Sequence, residues 1–338
     1  MTRSTKALSY DYFMTTIGLV ASQNGLGHAR RLSNLAVGFK QLNLSVKLFL
    51  SLFQYKALQK EFEYSNRKIE IVIIGHHGLD GPTRMMKSVI TRPSRDVIFS
   101  LKSCRLILSD NLIWPIEYNS NFSLFGHFSW ITYWENIGLK NLQETNLESL
   151  EKERDFFSSI KNWYFLEEFK FITPSQKKIV FIPIKLLRYH NDSLLPIKAI
   201  SSDRIWISNG STNLNKKTVE NLNIEIRKRI DYFETFELLK ASKKPFLIIG
   251  RPGLGTIRDC LAANIPFIPF WYGTDPELES NQNHLERVTG FKFADFNLSD
   301  RLNIFTENHK KDEGFCEDRW SELSIEYLEV CKLILEHY

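Results

Sequence analysis

The sequence predicts an α/β protein of two domains, each built on a parallel sheet, and three observations carry that expectation. Short β-rich apolar runs alternate with helical patterns, glycine-bearing turns follow several of those runs, and the alternation starts afresh in the second half. The 338 residues also exceed one ordinary core and suit two domains.

In the first half the runs are TTIGLVAS (15–22), SVKLFL (45–50), IEIVIIG (69–75), RLILSD (105–110) and SLFGHF (123–128). After the first, Leu32, Leu35, Ala36, Phe39 and Leu42 recur at helical spacing, with Gly25-Leu26-Gly27 between strand and helix, which makes a β-loop-α unit with a glycine turn. Residues 140–168 read as charged and helical. Pro174, Pro183 and Pro196 interrupt the patterning beyond them, which places an interdomain region at 169–203 after a first domain at 14–168. The second series, assigned to a domain at 204–317, runs RIWIS (204–208) into Asn209-Gly210-Ser211-Thr212, PFLIIG (245–250) into Arg251-Pro252-Gly253-Leu254-Gly255-Thr256, then IPFIPF (265–270). Trp320, Leu323, Tyr327, Val330 and Ile334 form an apolar stripe on a last helix within 318–338, and such a stripe needs a core to lie against.

Composition excludes several classes. The 43% hydrophobic and 25% charged residues are those of a globular protein, and no apolar run approaches the ~20 residues that cross a bilayer. The opening MTRSTKALSYDYF lacks the apolar region of a secretion signal. Cys104, Cys260, Cys316 and Cys331 form no CxxC pair or metal-ligand spacing, which fits a reducing cytoplasm, and neither a metal nor a cofactor is expected. The net charge of +5 is asymmetric: residues 1–135 hold 16 Lys and Arg against 9 Asp and Glu, a net of +7, which leaves −2 for the rest. Arg84, Lys87, Arg92, Arg95, Lys102 and Arg105 fall in one stretch opposed only by Asp96. The stretch suits an anionic partner; the alternative is a solvated basic face.

In open α/β sheets ligands bind at the carboxyl ends of strands, so the loops SQNGLGH (22–28), GHHGLDG (75–81), SDN (109–111) and GRPGLGT (250–256) carry the chemistry. In the last, Gly253 and Gly255 let backbone approach a ligand, and a helix starting near Thr256 aims N–H groups and its positive dipole end at a phosphate. The alternative is a tight turn alone. His76 and His77 lack a third ligand for a metal.

The segment 238–286 resembles the donor-binding segment of MurG-type and related nucleotide-sugar glycosyltransferases: a strand, an Arg followed by a glycine loop, Thr, an acidic residue, a small-residue helix, a Pro-led strand and an acidic/amide cluster. GLGHARRLSNLAVGFKQL (25–42) is similar to the family's first loop and helix, and Asn209-Gly210-Ser211-Thr212 to the turn opening its second domain. The resemblance implies the GT-B fold, two Rossmann-like domains facing a central cleft, with the C-terminal helix packing back toward the first. It implies that Arg251, Gly253, Leu254, Gly255 and Thr256 hold the diphosphate alongside Asn209 to Thr212. Asp259 would take the ribose hydroxyls, and Glu277, Glu279, Asn281 or Gln282 would read the sugar. The chain departs from the pattern in two places: the family has Glu where Asp259 stands, and only about 35 residues separate Thr212 from the strand at 246, which shortens a helix–strand pair.

The function so implied is inverting, metal-independent transfer of a sugar from a nucleotide diphosphate, a UDP-sugar, to a hydroxyl acceptor. His28 is the candidate base, since a neutral imidazole suits that task, and Asp110 would orient it. The competing reading has both residues capping helices. Gly25, Gly27, Arg84, Arg92, Arg95 and His127 are assigned to the acceptor, His127 being equally readable as a core histidine. The expected partners are the donor and a glycan, lipid-linked or other anionic acceptor, with peripheral contact at the inner face of the membrane; nothing matches a nucleic-acid module, which makes nucleic acid the minor alternative. A UDP-sugar hydrolase or epimerase of the same fold, and a non-enzymatic nucleotide-sugar sensor, are the rival functions.

Overall fold

A five-residue run, Thr16–Val20 (β1), opens a computed structural model that describes residues 15–64, 69–80, 90–137, 144–166, 179–188, 203–208, 224–233, 245–271, 275–289, 292, 302 and 322–338. Two compact units emerge: residues 1–187 with 326–338, and residues 188–325.

Unit 1 is built on a seven-stranded sheet. Its strands are β1, Ser45–Leu50 (β2), Glu70–Ile73 (β3), Leu106–Asp110 (β4), Phe122–Phe125 (β5), Asn162–Leu166 (β6) and Val180–Ile184 (β7), in the order β3-β2-β1-β4-β5-β6-β7. All six pairings in this sheet are parallel, an arrangement whose inner strands are covered on both faces, and Leu106–Asp110 is accordingly buried along its length. Leu26–Gln41 (α1) follows β1 and Leu52–Tyr64 (α2) follows β2, and after β3 the chain crosses to the other side of β1. The order therefore reverses between β1 and β4, and at such a switch point the loops leaving the two strands diverge to leave a crevice. Val20 pairs with Ser109 in register, which sets Ser22–His28 beside Asp110.

Three sequence expectations are corrected here. The helical reading of 140–168 holds only for Glu144–Phe157 (α5, after α4 at Trp130–Ile137); the aromatic run NWYFL then forms β6, with Trp163 and Tyr164 buried. Part of the stretch assigned to the interdomain region, Val180–Ile184, is the edge strand of the same sheet, where Pro183 is tolerated because one side of an edge strand needs no N–H donor. The run at 123–128 ends as a strand at Phe125, where Gly126 turns at φ 116° and a Cβ would overlap the Asn111 side chain.

The chain leaves unit 1 at Leu186–Arg188 (β8), which pairs with Ser324–Glu326 (β13), and Arg188 Nε donates to Ser324 Oγ at 2.7 Å. The last helix is shorter than its stripe predicts: 324–326 is extended, and the helix is Tyr327–His337 (named α9 below); Trp320 lies outside the described residues. That helix packs back on α1 as expected. A Cβ on Gly38 would lie 2.6 Å from Cys331 Sγ, so the crossing requires glycine, and Gln41 Nε2 donates to the Tyr327 hydroxyl at 2.9 Å.

Unit 2 carries Ile205–Ser208 (β9), Ile230–Phe233 (β10), Leu247–Gly250 (β11) and Phe267–Pro269 (β12) in a parallel sheet of order β10-β9-β11-β12. The shortened helix–strand pair is present as the single turn Ile224–Arg227 (α6) and β10. Leu254–Ala262 (α7) follows β11, and Pro276–Thr289 (α8) follows β12.

Candidate functional site

In unit 1 the functional side chains are set by the ends of β1 and β4. Gly25 ends the loop after β1 at φ 87°, a left-handed setting that favours glycine, and stands at the N-cap of α1 without any side-chain cap. His28 and Arg31 stand one turn apart on that helix, so both point to the same neighbour. The neighbour is Asp110, the last residue of β4, which is wholly buried.

Asp110 is shared. His28 Nδ1 lies 3.0 Å from its Oδ1, while Arg31 donates from Nε to Oδ2 at 2.8 Å and from its NH2 group to Oδ1 at 2.6 Å, a two-point pairing. Burial works against the charge on Asp110, but Arg31 first, then His28 and the hydrogen bonds, hold its carboxyl down at about 2. An ionised Asp110 accepts the Nδ1 proton, and that tautomer leaves the Nε2 lone pair of His28 available as a base. The Arg31 NH2 group also lies 3.3 Å from Nδ1, but it is the more closely held by Asp110, so the carboxylate sets the tautomer.

His28 and Asp110 thus meet as the sequence predicts, and neither acts as a helix cap. Arg31 is the residue that sequence reasoning missed; its three-residue spacing from His28 was the available signal. Gly25 and Gly27 are exposed, with open space where a Cβ would stand.

The remaining acceptor assignments fare differently. His127 is 2% exposed and packs edge-on against Phe128, at 4.7 Å between ring centroids, which makes it a core histidine. Arg92 and Arg95 are exposed beside the loop after β3, tied in by Thr91, whose N–H donates to His76 O at 2.8 Å. Arg95 opens the helix Arg95–Lys102 (α3), capped by Ser94, and those eight residues carry the chain roughly 12 Å back toward the amino ends of the strands. Lys102 and Arg105 lie at those amino ends, where Arg105 N donates to Thr16 O, so the basic stretch is not one patch. Arg84 lies outside the described residues. His77 uses Nδ1 toward Thr91 O (2.9 Å) and Nε2 toward Gly75 N (3.0 Å), and burial lowers the pKa of both His76 and His77.

In unit 2 the turn after β11 leads into α7 two residues earlier than predicted, with Gly253 as N-cap at φ −69°. Gly253 N donates to Arg251 O at 2.8 Å, which closes the turn, and the first helical bond runs from Ile257 N to Gly253 O. The first-turn N–H groups of Leu254, Gly255 and Thr256 thus precede the intrahelical ladder, and a Cβ on Gly253 would meet nothing within 4 Å. Arg251 pairs with Asp275, at 3.2 Å, another residue the sequence reading passed over although Asp-Pro is a helix-start signal. Burial and Glu277 raise the pKa of Asp275, and Arg251 opposes them.

Asp259, one turn beyond the glycines on α7, accepts from Arg258. On α8, Glu277, Asn281 and Gln282 are buried, while Glu279 is exposed. Gln282 Nε2 donates to Glu286 at 2.8 Å, but both polar atoms of the fully buried Asn281 amide lack a hydrogen-bond partner among the described residues. Asn209, Gly210, Ser211 and Thr212 lie outside the described residues.

No protein-family model and no curated protein sequence matches the chain. Solved structures do. The spinosyn forosaminyltransferase SpnP superimposes with a TM-score of 0.61 at 11% identity, covering 96% of this chain and 98% of its own. UGT2 of Phytolacca americana, solved with UDP-2-fluoroglucose and pterostilbene, gives 0.58 at 11% identity over 92% of this chain and 93% of its own. MurG of Acinetobacter baumannii gives 0.51 at 13% identity over 96% and 99%. The chain has the GT-B fold of these glycosyltransferases.

Proposed function

We propose that the protein is an inverting glycosyltransferase that uses a nucleotide-diphosphate sugar, a UDP-sugar, as donor. The observation that carries this reading is the His28–Asp110 pair at the switch point of unit 1, because a buried ionised carboxylate on Nδ1 orients the imidazole and leaves its Nε2 to accept a proton. In transfer, an acceptor hydroxyl gives its proton to Nε2 as its oxygen bonds to the anomeric carbon. The bond from that carbon to the diphosphate oxygen breaks on the opposite face, and the electron pair leaves with the nucleotide.

Unit 2 suits the leaving group. The first-turn N–H groups of α7, the dipole of that helix and Arg251 offer positive charge to a diphosphate, which lowers the barrier without a metal ion. Glu277, Asn281 and Gln282 would read the sugar, and the unpartnered Asn281 amide supports that role, since a buried amide left unpaired costs about 1–3 kcal/mol that a polar ligand offsets. Asp259 would take the ribose. Arg92 and Arg95, exposed at the same end of the strands as the loop after β3, would attract an anionic acceptor. Among the described residues no helix is long and apolar enough to cross a membrane.

The test is a thermal-stabilisation screen of nucleotide sugars followed by chromatography of the products. A UDP-sugar that raises the melting temperature and is then converted to UDP and a new glycoside supports transfer; free sugar alone would favour hydrolysis, and stabilisation without turnover a sensor.

A further inference from the structure

The helix that presents His28 begins on a glycine and has no cap of its own, so something else must hold its first turn. The N-cap of helix α1 is Gly25, which makes no side-chain cap, and no atom comes within 4 Å of where a Cβ would stand on Gly25 or Gly27. A loop of this composition has many backbone settings available to it, and each would move the imidazole.

Two buried side chains, one from a loop and one from a helix, remove that freedom. Asp80, in the loop after β3, accepts from the Ser22 hydroxyl with one oxygen and from Gln23 N, at 2.6 Å, with the other. Gln54, on α2, donates through Nε2 to Ser22 O at 2.7 Å and to Gly25 O at 2.8 Å, and its own oxygen accepts from Ser51 N at 3.1 Å. Ser22, Gln54 and Asp80 are 0%, 0% and 2% exposed. Ser22 Oγ accepts from Trp130 Nε1 (3.2 Å) and Asn24 N (3.3 Å), which leaves its own proton for Asp80. The clamp thus grips the loop by an N–H, a hydroxyl and two carbonyls.

We propose that Asp80 and Gln54 are positioning residues that fix the Ser22–Gly25 backbone and so hold His28 Nε2 where a substrate hydroxyl can reach it. The proposal rests on the reading of His28 as base. A buried polar network is a poor source of stability compared with apolar packing, and its return is one defined geometry.

The grip requires an ionised Asp80, since both of its partners are donors; a proton on either oxygen displaces one of them. Burial pushes its carboxyl up to about 6; Ser22, Gln23 N and the nearby His28 pull it down, and Asp110 at the end of β4 pushes it up. Glu153, on α5, is the other acid whose charge reaches Asp80. Loosening therefore belongs to the pH range just below neutrality.

The experiment uses the full chain and its Asp80→Asn and Gln54→Ala variants. Hydrogen–deuterium exchange over a peptide spanning 22–27, corrected for the intrinsic pH dependence of exchange, needs no ligand. Expected are a loss of protection of about 10-fold or more in each variant, and a fall in wild-type protection between pH 7.5 and 5.5 that Asp80→Asn does not show. UDP release from UDP-glucose or UDP-N-acetylglucosamine, whichever is turned over, should show kcat lowered roughly 10- to 100-fold with donor KM nearly unchanged. Unchanged protection in both variants, or lost protection with kcat intact, overturns the proposal. If Asp80→Asn does not fold, Gln54→Ala and the wild-type pH series decide. Full activity of His28→Ala would instead remove the base reading, and the positioning role with it, even where the exchange data show the clamp.

Discussion

Asp110 accepts from His28 Nδ1 at 3.0 Å while holding Arg31 at two points, so one buried carboxylate orients the candidate base and neutralises a buried cation. The order of the two roles follows from their energies. The charge pair keeps Asp110 ionised, and only an ionised Asp110 selects the tautomer with Nε2 unprotonated.

Kinetics should separate the two units. His28→Ala is expected to lower kcat by roughly 10²–10⁴-fold while UDP still stabilises the protein to the same extent. Asp110→Asn should lose less, in the same direction. Wild-type turnover by His28→Ala would exclude a base at this position.

Arg31→Met should be costly to the fold. It leaves Asp110 buried without its charge partner, a loss of about 3–5 kcal/mol, whereas the double variant Arg31→Met/Asp110→Asn should recover a large part of it. Urea denaturation of the three variants reads the coupling directly.

Diphosphate binding can be tested without damaging unit 2. Gly253 has φ −69° and open space around its missing Cβ, so Gly253→Val should fold with stability within about 1 kcal/mol of wild type. The added isopropyl group would stand over the first turn of α7 and should abolish stabilisation by UDP, while uridine gives little in either protein. An undiminished UDP response in the folded variant would remove the loop from the donor site.

Stability should fall as pH rises from about 5 to 8. Glu153, 3% exposed, accepts from Leu79 N at 2.7 Å, and burial pushes its carboxyl up to about 8, aided by Asp80 and opposed by that N–H and Lys152. A raised acid binds its proton more tightly in the folded state, so its contribution is complete below the unfolded value and is lost as pH climbs through the folded one. Asp80 acts the same way up to about 6, and Asp110, held at about 2, acts only in stronger acid, losing its contribution as pH falls below the ordinary carboxyl range. Glu153→Gln should flatten the slope above pH 6, by up to about 1.4 kcal/mol per pH unit. Urea midpoints at pH 5, 6.5 and 8.5 test the sign, and a wild type that gains stability across that range would contradict it.

For the acceptor, salt is the simplest probe. Exposed charges are screened over ~8 Å at physiological ionic strength, so added salt should raise the acceptor KM more than the donor KM if the acceptor is anionic. Arg92→Ala/Arg95→Ala should mimic that selective loss, whereas Lys102→Ala/Arg105→Ala, at the opposite end of the strands, should not. A neutral acceptor used efficiently at high salt would leave these arginines without that role.

What the sequence determined by itself is whatever a few neighbouring residues encode. The apolar runs of β1, β2, β4 and β11, the glycine turns after β1 and β11, and the placing of His28 just beyond the first of those turns and of Asp110 at a strand end all follow from periodicity and turn chemistry within about ten residues. The strand β6 was hidden because NWYFL follows a charged helix closely, and β7 because Pro183 argues against a strand until its edge position is known. Tertiary structure alone decided which loops share the crevice. That Arg31 reaches Asp110 across 79 residues, that Asp80 grips Ser22 and Gln23 from the loop after β3, and that the basic stretch is divided between the two ends of the strands all depend on the tertiary fold, with its strand order β3-β2-β1-β4. Strand order is a non-local property, set by how apolar faces pair across the whole sheet, and no window of sequence contains it.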